Sequence, residues 1–251
     1  MENKFVKNTL SFLKDKEQEI NVKKGENISI DLTDIFDASL TLFLQKDSTC
    51  SLRVFYKNEK NSLDLHANLA DNATLNIYFA DFSKGDSSLS SNVILLGENA
   101  KSEFKFSSLS TQIDNKKYSI SFSHIGEKTV SDLEGYSVNT DSSKLKVEGI
   151  SHIEKGAIKS KASQKIKSIL FDKTSEAIAN PILKIDCDDI EASHACAIGS
   201  LNDDYLFYLL SRGIALEDAK KLITYGYLNP IVNYFLDEEK EELENLIKKE
   251  F

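Results

Sequence analysis

The sequence is poor in several residue types that mark particular classes of protein. It contains two prolines, no tryptophan and three cysteines among 251 residues. A small, odd number of cysteines argues against a disulfide framework, so we expect reduced thiols and a cytoplasmic protein. Scarce proline favours a chain made mainly of hydrogen-bonded ladders and helices, because proline lacks the N–H that a ladder needs.

Long apolar runs and an excess of basic residues are missing as well. No apolar stretch approaches the roughly 18–20 residues that span a bilayer. The first residues, MENKFVKNTLSFLKDKEQ, are charged throughout and predict no signal peptide. The formal net charge is −9, whereas binding to a phosphate backbone requires clustered Lys and Arg. We therefore expect neither a membrane nor a nucleic-acid partner.

Common catalytic and nucleotide-binding motifs are also missing. The sequence contains neither Gly-x-Ser-x-Gly nor the phosphate-binding patterns GxxxxGK[ST] and GxGxxG. Three acids close together, Asp186, Asp188 and Asp189, could bind a metal. A turn is the favoured interpretation, because Asp is a common turn residue.

The dominant pattern, from about residue 18 to residue 200, is alternation of apolar and polar residues. It is clear in the segments ATLNIYF, SEFKFSS, KYSISFSHI and KLKVEG. Alternation over short runs predicts half-buried strands. Amphipathic helices do not separate these runs, so the sequence predicts a mainly β core without βαβ units.

The strands are punctuated by a small residue that follows a turn. The residues with this position are Ala38, Ala73, Ala100, Ala157 and Ala177. The last four are 27, 57 and 20 residues apart, and 57 is about two units of the same repeat. A period in the twenties made of short strands favours a solenoid, a β-helix, over the alternative β-sandwich.

Different patterns flank the predicted core. Residues 1–17 have weak helical character and predict a short N-terminal helical arm. After Gly199 the apolar period becomes 3.6, which predicts a C-terminal α-helical module over 201–251. Asn202 and Asp203 are N-cap candidates for its first helix, and Gly213 is placed to end that helix. A second helix is expected over Leu216 to Tyr225, and a separate short piece after Pro230.

His194, Cys196 and Cys187 form the densest group of metal-ligand types. His194 and Cys196 are two residues apart, so they share one face of a strand. A closed zinc site needs four ligands, and a complete set is not visible. Small buried hydrophobes are the favoured interpretation of both cysteines, and core filler is also the favoured role for Cys50. The histidines His66 and His152 are interpreted as structural, whereas His124 gains interest only from the family resemblance described below.

The segment from about 123 to 235 resembles the C-terminal half of the SufB/SufD proteins, the scaffold subunits of the SUF iron–sulfur cluster assembly machine. The resemblance is carried by SHIGEKTVSDLEGYSV, by GISHIEKGAIKSKASQKIKSILFDKTSEAIANPILKID and above all by DDIEASHACAIGSLNDDYLFYLLSRGIALEDAKKLITYGYLN. The Ser-His form at Ser193-His194 is similar to the SufD side. Ala192 replaces the cysteine usual in SufD, which weakens any claim for a thiolate there.

The resemblance implies a fold and a function. It implies a right-handed parallel β-helix core, a non-enzymatic scaffold role without a stably bound cofactor, and a C-terminal module that contacts the ABC-type ATPase SufC. A transient Fe–S cluster would lie at the interface with a SufB-type subunit, with His194 as the candidate metal ligand and Cys196 and Cys187 as further candidates. The candidate docking residues for the ATPase are Leu206, Phe207, Arg212, Tyr225 and Tyr227.

Two alternatives remain open at this point. A self-pairing SufB/SufD-like scaffold could work with SufC alone. A metal-dependent or carbohydrate-active enzyme on a β-helix would need acids stacked on adjacent coils, and we identify no such stack in the sequence.

Overall fold

The structure, a computed structural model, describes residues 4–7 and 17–250. Its strands form two parallel sheets. One, the odd sheet, contains β1 (Lys4–Lys7), β3 (Asn27–Thr33), β5 (Thr49–Tyr56), β7 (Thr74–Asp81), β9 (Lys101–Ser110), β11 (Val130–Asn139), β13 (Lys161–Leu170) and β15 (Glu191–Ser200). The other, the even sheet, contains β2 (Glu17–Val22), β4 (Ala38–Leu44), β6 (Asn61–Leu69), β8 (Asp86–Leu95), β10 (Asn115–His124), β12 (Lys144–Ile153) and β14 (Glu176–Ile185).

This topology is a solenoid, as the repeat of short strands with a period in the twenties predicted. Each strand pairs in parallel with the strand two places along the chain, so the chain passes from one sheet to the other at every corner. Register places Thr49, Thr74, Lys101, Val130 and Lys161 above one another, so a coil takes 25 to 31 residues. A β-sandwich of antiparallel sheets is thereby excluded for the described strands.

Alternation along each strand separates the core from the surface. In β10, Tyr118, Ile120 and Phe122 are buried and face the interior, while Lys117 and Ser119 are exposed. Because the strands are stacked in register, the inward residues of successive coils form continuous apolar columns. Burial of these columns is the main stabilisation of a solenoid, since one coil cannot bury its inner face alone.

The small residue at the corners was only partly predicted correctly. The residues whose carbonyls accept the first N–H of the next odd strand are Ser48, Ala73, Ala100, Thr129 and Ser160, all fully buried. Ala73 and Ala100 are therefore equivalent, as predicted. Ala157 lies three residues before Ser160, and Ala177 lies inside β14 of the other sheet, so both were placed wrongly. Ser and Thr fill this buried corner position in other coils as Ala does in two of them. A search for alanine alone therefore could not find every equivalent corner.

The N-terminal arm also differs from the expectation. Lys4–Lys7 is a strand, β1, paired in parallel with Ile28–Asp31 of β3. The expected helix is therefore wrong for these four residues. The rest of the predicted arm, apart from Glu17 at the start of β2, lies outside the described residues.

Three helices follow the solenoid: α1 (Asp203–Ser211), α2 (Leu216–Val232) and α3 (Asp237–Glu250). Of the predicted caps of α1, Asn202 and Gly213 are confirmed, whereas Asp203 is the first residue of the helix. The side chain of Asn202 accepts the N–H of Asp204 at 2.8 Å, and Gly213 has the positive φ of +83° that ends the helix. The piece predicted after Pro230 is wrong, because Pro230 lies inside the last turn of α2.

Helices α2 and α3 pack against the outer face of the odd sheet. Tyr234 stacks on Tyr78 of β7 with ring centroids 4.3 Å apart, and Phe235 meets Phe55 edge to face. The ammonium of Lys57 pairs with Glu242 of α3 at 3.0 Å. These two helices thus brace the flank of the solenoid across several coils, and they do not close its C-terminal end.

Candidate functional site at the open end of the solenoid

The last coil, made of β14 and β15, carries the histidine and the cysteine that the sequence singled out. Register places His194 above Gln164 and Cys196 above Ile166 of β13. Gln164 and Ile166 are buried and face the interior. His194 and Cys196 therefore share the inward side of β15, as their spacing predicted.

Both side chains are nevertheless exposed, because the chain continues from β15 into α1 instead of forming another coil above them. The Cys196 Sγ lies 3.9 Å from the carbonyl oxygen of Ala179 in β14. Desolvation by these neighbours raises the pKa of the Cys196 thiol. In the chain as described, Cys196 is thus an accessible thiol at neutral pH, and not core filler.

Cys187 has a different environment. It lies in the corner between β14 and β15, half-buried against an apolar cluster that includes Ile153, Ala157 and Ala162. Cys50 is fully buried, and burial raises the pKa of its thiol to about 12. Cys187 thus packs as a small hydrophobe, and only Cys196 lies beside His194 on the inward side of the last coil.

The tandem acids do not complete a metal centre. Asp186 binds the imidazole of His152, with Nε2 and Oδ2 2.8 Å apart, on the outer side of the last two coils. Within the described residues, no group of three or more His, Cys, Asp or Glu side chains could hold a metal ion. His194 and Cys196 alone are too few for a closed site. A metal held there would need ligands from another molecule.

A buried, hydrogen-bonded glutamine, Gln164, lies directly beneath this end of the solenoid and was not predicted from the sequence. Gln164 donates to Ser151 Oγ at 2.8 Å and to the carbonyl oxygen of Ile182 at 3.2 Å. Gln164 thereby ties β13 of one sheet to β12 and β14 of the other. A glutamine in an alternating strand looks like a surface residue in the sequence, and only the phase of β13 reveals that it faces inward.

The first helix of the C-terminal module exposes most of its apolar residues. Phe207 is 73% exposed and Tyr205 68% exposed, and no residue of α1 is buried. Leu206 is half-buried, and Arg212 lies over the ring of Tyr208 at 5.3 Å. An apolar helix that its own chain leaves uncovered is typical of an interaction surface.

The two candidate docking tyrosines of α2 differ from each other. Tyr225 is exposed and donates to Glu244 of α3 at 3.0 Å. Tyr227 is half-buried and meets Tyr136 of β11 edge to face at 5.6 Å. Tyr227 therefore helps to hold α2 against the solenoid, and only part of its side chain is accessible to a partner.

A groove of about 670 Å³ lies away from this end of the solenoid, on the outer face of the even sheet. Its walls include Asp64 on one side and Lys117 and Lys146 on the other, above a floor rich in serine. The charges of its walls are mixed.

The comparison with known proteins agrees with this architecture. Residues 15–227 match the family model described as the SufBD core domain of SUF system FeS cluster assembly. The chain belongs to the SufBD core family. The matched region contains almost the whole solenoid together with α1 and most of α2.

Individual relatives of the SufBD family match shorter segments. The iron–sulfur cluster assembly protein SufD of Bacillus subtilis is 36% identical over 127 residues, which cover 50% of this chain and 29% of that protein. SufD of Escherichia coli is 30% identical over 99 residues, 39% of this chain and 23% of that protein. A SufBD family protein of Mycobacterium leprae is 28% identical over 156 residues, 62% of this chain and 18% of that protein.

The aligned segments thus span less than a third of each of these relatives. Two of the three carry the name SufD, so the SufD-like character inferred from Ser193-His194 is confirmed. Among the described residues, no helix is both long and apolar enough to cross a membrane.

Proposed function

We propose that this chain is a non-enzymatic scaffold subunit for iron–sulfur cluster assembly, and that it works as one half of a pair. The observation that carries the proposal is the open end of the solenoid. His194 and Cys196 lie there two residues apart on one face of β15, exposed, on a coil whose interior no further coil closes. Two ligands hold an iron–sulfur cluster only when a partner supplies the others, which suits transient assembly at an interface.

The partner that fits is a SufB-type subunit that brings its own ligands to this end. In that arrangement His194 is the iron ligand or orienting group from this chain, because a neutral imidazole is a suitable ligand for iron. Cys196 is the second candidate, while the half-buried Cys187 supports the corner. A second copy of this chain is the alternative partner, since an open end can also meet its own image.

The C-terminal module is the proposed docking site for a SufC-type ABC ATPase. Helices α2 and α3 are fixed to the flank of the solenoid, while α1 follows β15 after two residues and exposes Phe207 and Tyr205. A partner bound to α1 would therefore act on the strand that carries His194. In this arrangement the nucleotide is bound by the ATPase, and this chain responds to it without a phosphate loop of its own.

The test of the cluster site is His194→Ala, with His152→Ala as the matched control. We expect His194→Ala to keep the fold and the complex but to lower the Fe–S content of the reconstituted complex. His152 lies on the outer face of the preceding coil, so its loss should leave that content unchanged. Equal cluster content in the wild type and His194→Ala would refute the assignment.

The test of docking is Phe207→Asp, with Phe36→Asp as the control. Both rings are strongly exposed, 73% and 67%, so neither change should affect folding. Phe36 lies in a corner near the other end of the solenoid, far from α1. We expect only Phe207→Asp to abolish co-purification with the ATPase. If both variants co-purify with the ATPase equally well, the docking surface lies elsewhere.

A further inference from the structure

We propose that the groove on the outer face of the even sheet binds a phosphate group, either free or esterified to a small polar molecule. The phosphate is held at the basic end of the groove, between the ammonium groups of Lys117 and Lys146. This site lies away from His194 and Cys196, and it does not depend on the proposed role in cluster assembly.

The two lysines are direct neighbours on adjacent strands. Register places Lys117 of β10 opposite Lys146 of β12. Both side chains are exposed, and both alternate with buried residues, so they point outward from the same sheet. Neighbouring strands are about 4.8 Å apart, so the oxygens of one phosphate can contact both ammonium groups.

This arrangement of charge destabilises the sheet in the absence of a ligand, because like charges directly opposite each other repel. The chain has a net charge of −9, so acids to neutralise a lysine are plentiful. On the same face, Lys144 pairs with Glu176 at 3.5 Å. Neither Lys117 nor Lys146 forms an ion pair within the described part of the chain. Two adjacent cations that the fold leaves uncompensated suit an anion supplied from outside.

Serine hydroxyls surround the lysine pair. Ser88 of β8 lies opposite Lys117, and Ser90 lies opposite Ser119. Among residues 17–250, the side chains of these three serines have no hydrogen-bond partner. The backbone N–H groups in the middle of a sheet are used between strands, so only side chains can bind the phosphate. A hydroxyl donates to a phosphate oxygen, and these serines therefore complete the site.

The opposite end of the groove limits what the phosphate can be attached to. Asp64 of β6 lies opposite Ser90, and one of its carboxylate oxygens is 3.1 Å from His66 Nε2. Its strand is two places from that of Lys117, about 10 Å away, so the carboxylate can accept a hydrogen bond from a hydroxyl or amine of the ligand. Tyr118, the one aromatic residue among the described residues of the lining, is buried, so a base has no ring on which to stack. The groove therefore suits a small polar phosphate ester and not a nucleotide.

Glu148 provides a control with the opposite sign. It lies two residues beyond Lys146 on the same face of β12, half-buried, and opposite Ser119. Its carboxylate repels an anion bound between the lysines. Removal of this charge should strengthen phosphate binding, whereas a change that only disturbs the sheet would weaken it.

Titration of the full chain with inorganic phosphate at constant ionic strength, followed by the NMR shifts of backbone amides, tests the site. We expect saturable shifts at Ser88, Lys117 and Lys146. Lys117→Gln and Lys146→Gln should each raise the Kd for phosphate about tenfold, since each removes one charge-assisted contact. Glu148→Gln should lower the Kd at least twofold.

Lys184→Gln is the matched control for the lysine variants. Lys184 is exposed on the same face, opposite His152 of β12, and His152 is about 20 Å along that strand from Lys146. This distance exceeds the Debye length of about 10 Å at 0.1 M salt. The same loss of charge at Lys184 should therefore change the Kd less than twofold.

A second titration with glycerol 3-phosphate distinguishes the two sources of the phosphate group. Tighter binding of the ester than of inorganic phosphate assigns the site to a phosphate monoester, whose hydroxyls would contact Ser90 and Asp64. Equal or weaker binding of the ester assigns the site to free phosphate. Both results support a phosphate site.

Thermal melting without phosphate separates a binding role of the lysines from a structural one. Lys146→Gln should melt at or above the midpoint of the wild type, because it relieves the repulsion across the two strands. A lower midpoint would show that the lysine supports the fold, and would overturn the proposal. Absence of saturable shifts in the wild type, or equal weakening by Lys184→Gln and Lys146→Gln, would also overturn it. All three results would leave the proposed function intact.

Discussion

His124 should make the folded chain sensitive to acid. Its side chain is fully buried inside the solenoid, where Nδ1 lies 2.8 Å from Thr129 Oγ1 and Nε2 lies 2.8 Å from Ser131 Oγ. Burial lowers the pKa of His124 from 6.5 to about 4, since the charged imidazolium would lose its water. The hydroxyl partners carry no charge that could compensate.

The sign and size of the effect follow from proton linkage. Below pH 6.5 the unfolded chain binds a proton at His124 that the folded chain does not bind until the pH approaches 4. The contribution of His124 to the free energy of unfolding is therefore complete above pH 6.5 and falls as the pH is lowered towards 4. One pKa unit corresponds to about 1.4 kcal/mol, so about 2 kcal/mol is lost by pH 5.

The variant His124→Gln removes the titration but keeps a side chain that can bond to a hydroxyl. Urea unfolding at pH 7.5 and pH 5.0 measures the loss of stability for each protein. We expect the wild type to lose about 2 kcal/mol more than His124→Gln between these two values. All other titrating groups cancel in this difference. His66→Gln, which replaces a half-buried histidine on the outer face of β6, should keep the wild-type acid sensitivity. Equal losses for the wild type and His124→Gln would refute the reasoning.

Three further predictions concern other buried and strained positions. Burial alone would raise the pKa of Asp81, but the ammonium of Lys116 at 2.9 Å and hydrogen bonds from Ser83 and Ser87 lower it. Lys116→Met leaves that carboxylate buried without its partner, so urea unfolding should show that the free energy of unfolding falls by about 3–5 kcal/mol. The double variant Asp81→Leu/Lys116→Met removes both charges. A smaller loss for it than for Lys116→Met would support the pairing. In Gly135→Ala the new Cβ would lie 2.0 Å from the ring of Phe106, so the melting temperature should fall, whereas Gly199→Ala, with nothing within 4 Å, should leave it unchanged. Lys159 has a φ of +59°, a region that Asn tolerates better than Lys, so thermal melting should give a higher midpoint for Lys159→Asn and a lower one for Lys159→Val.

The sequence by itself determined the class of fold and the family. Alternation in segments such as KYSISFSHI reports which side of a strand is buried, because side chains alternate across a pleated strand regardless of context. The helix signals at Asn202 and Gly213 are equally local, since caps act within one turn. His194 and Cys196 could be placed on one face for the same reason.

Only the tertiary structure decided what these faces meet. Gln164 and Lys116 look like surface residues in an alternating sequence, yet the phase of their strands turns both into the solenoid. Tyr227 and Phe207 are both aromatic residues of the helical module, and packing against β11 buries part of one and leaves the other in solvent. His194 lies on an inward face but is exposed, because the next element is a helix instead of a coil. Burial depends on which strands and helices become neighbours, and local sequence does not contain that information.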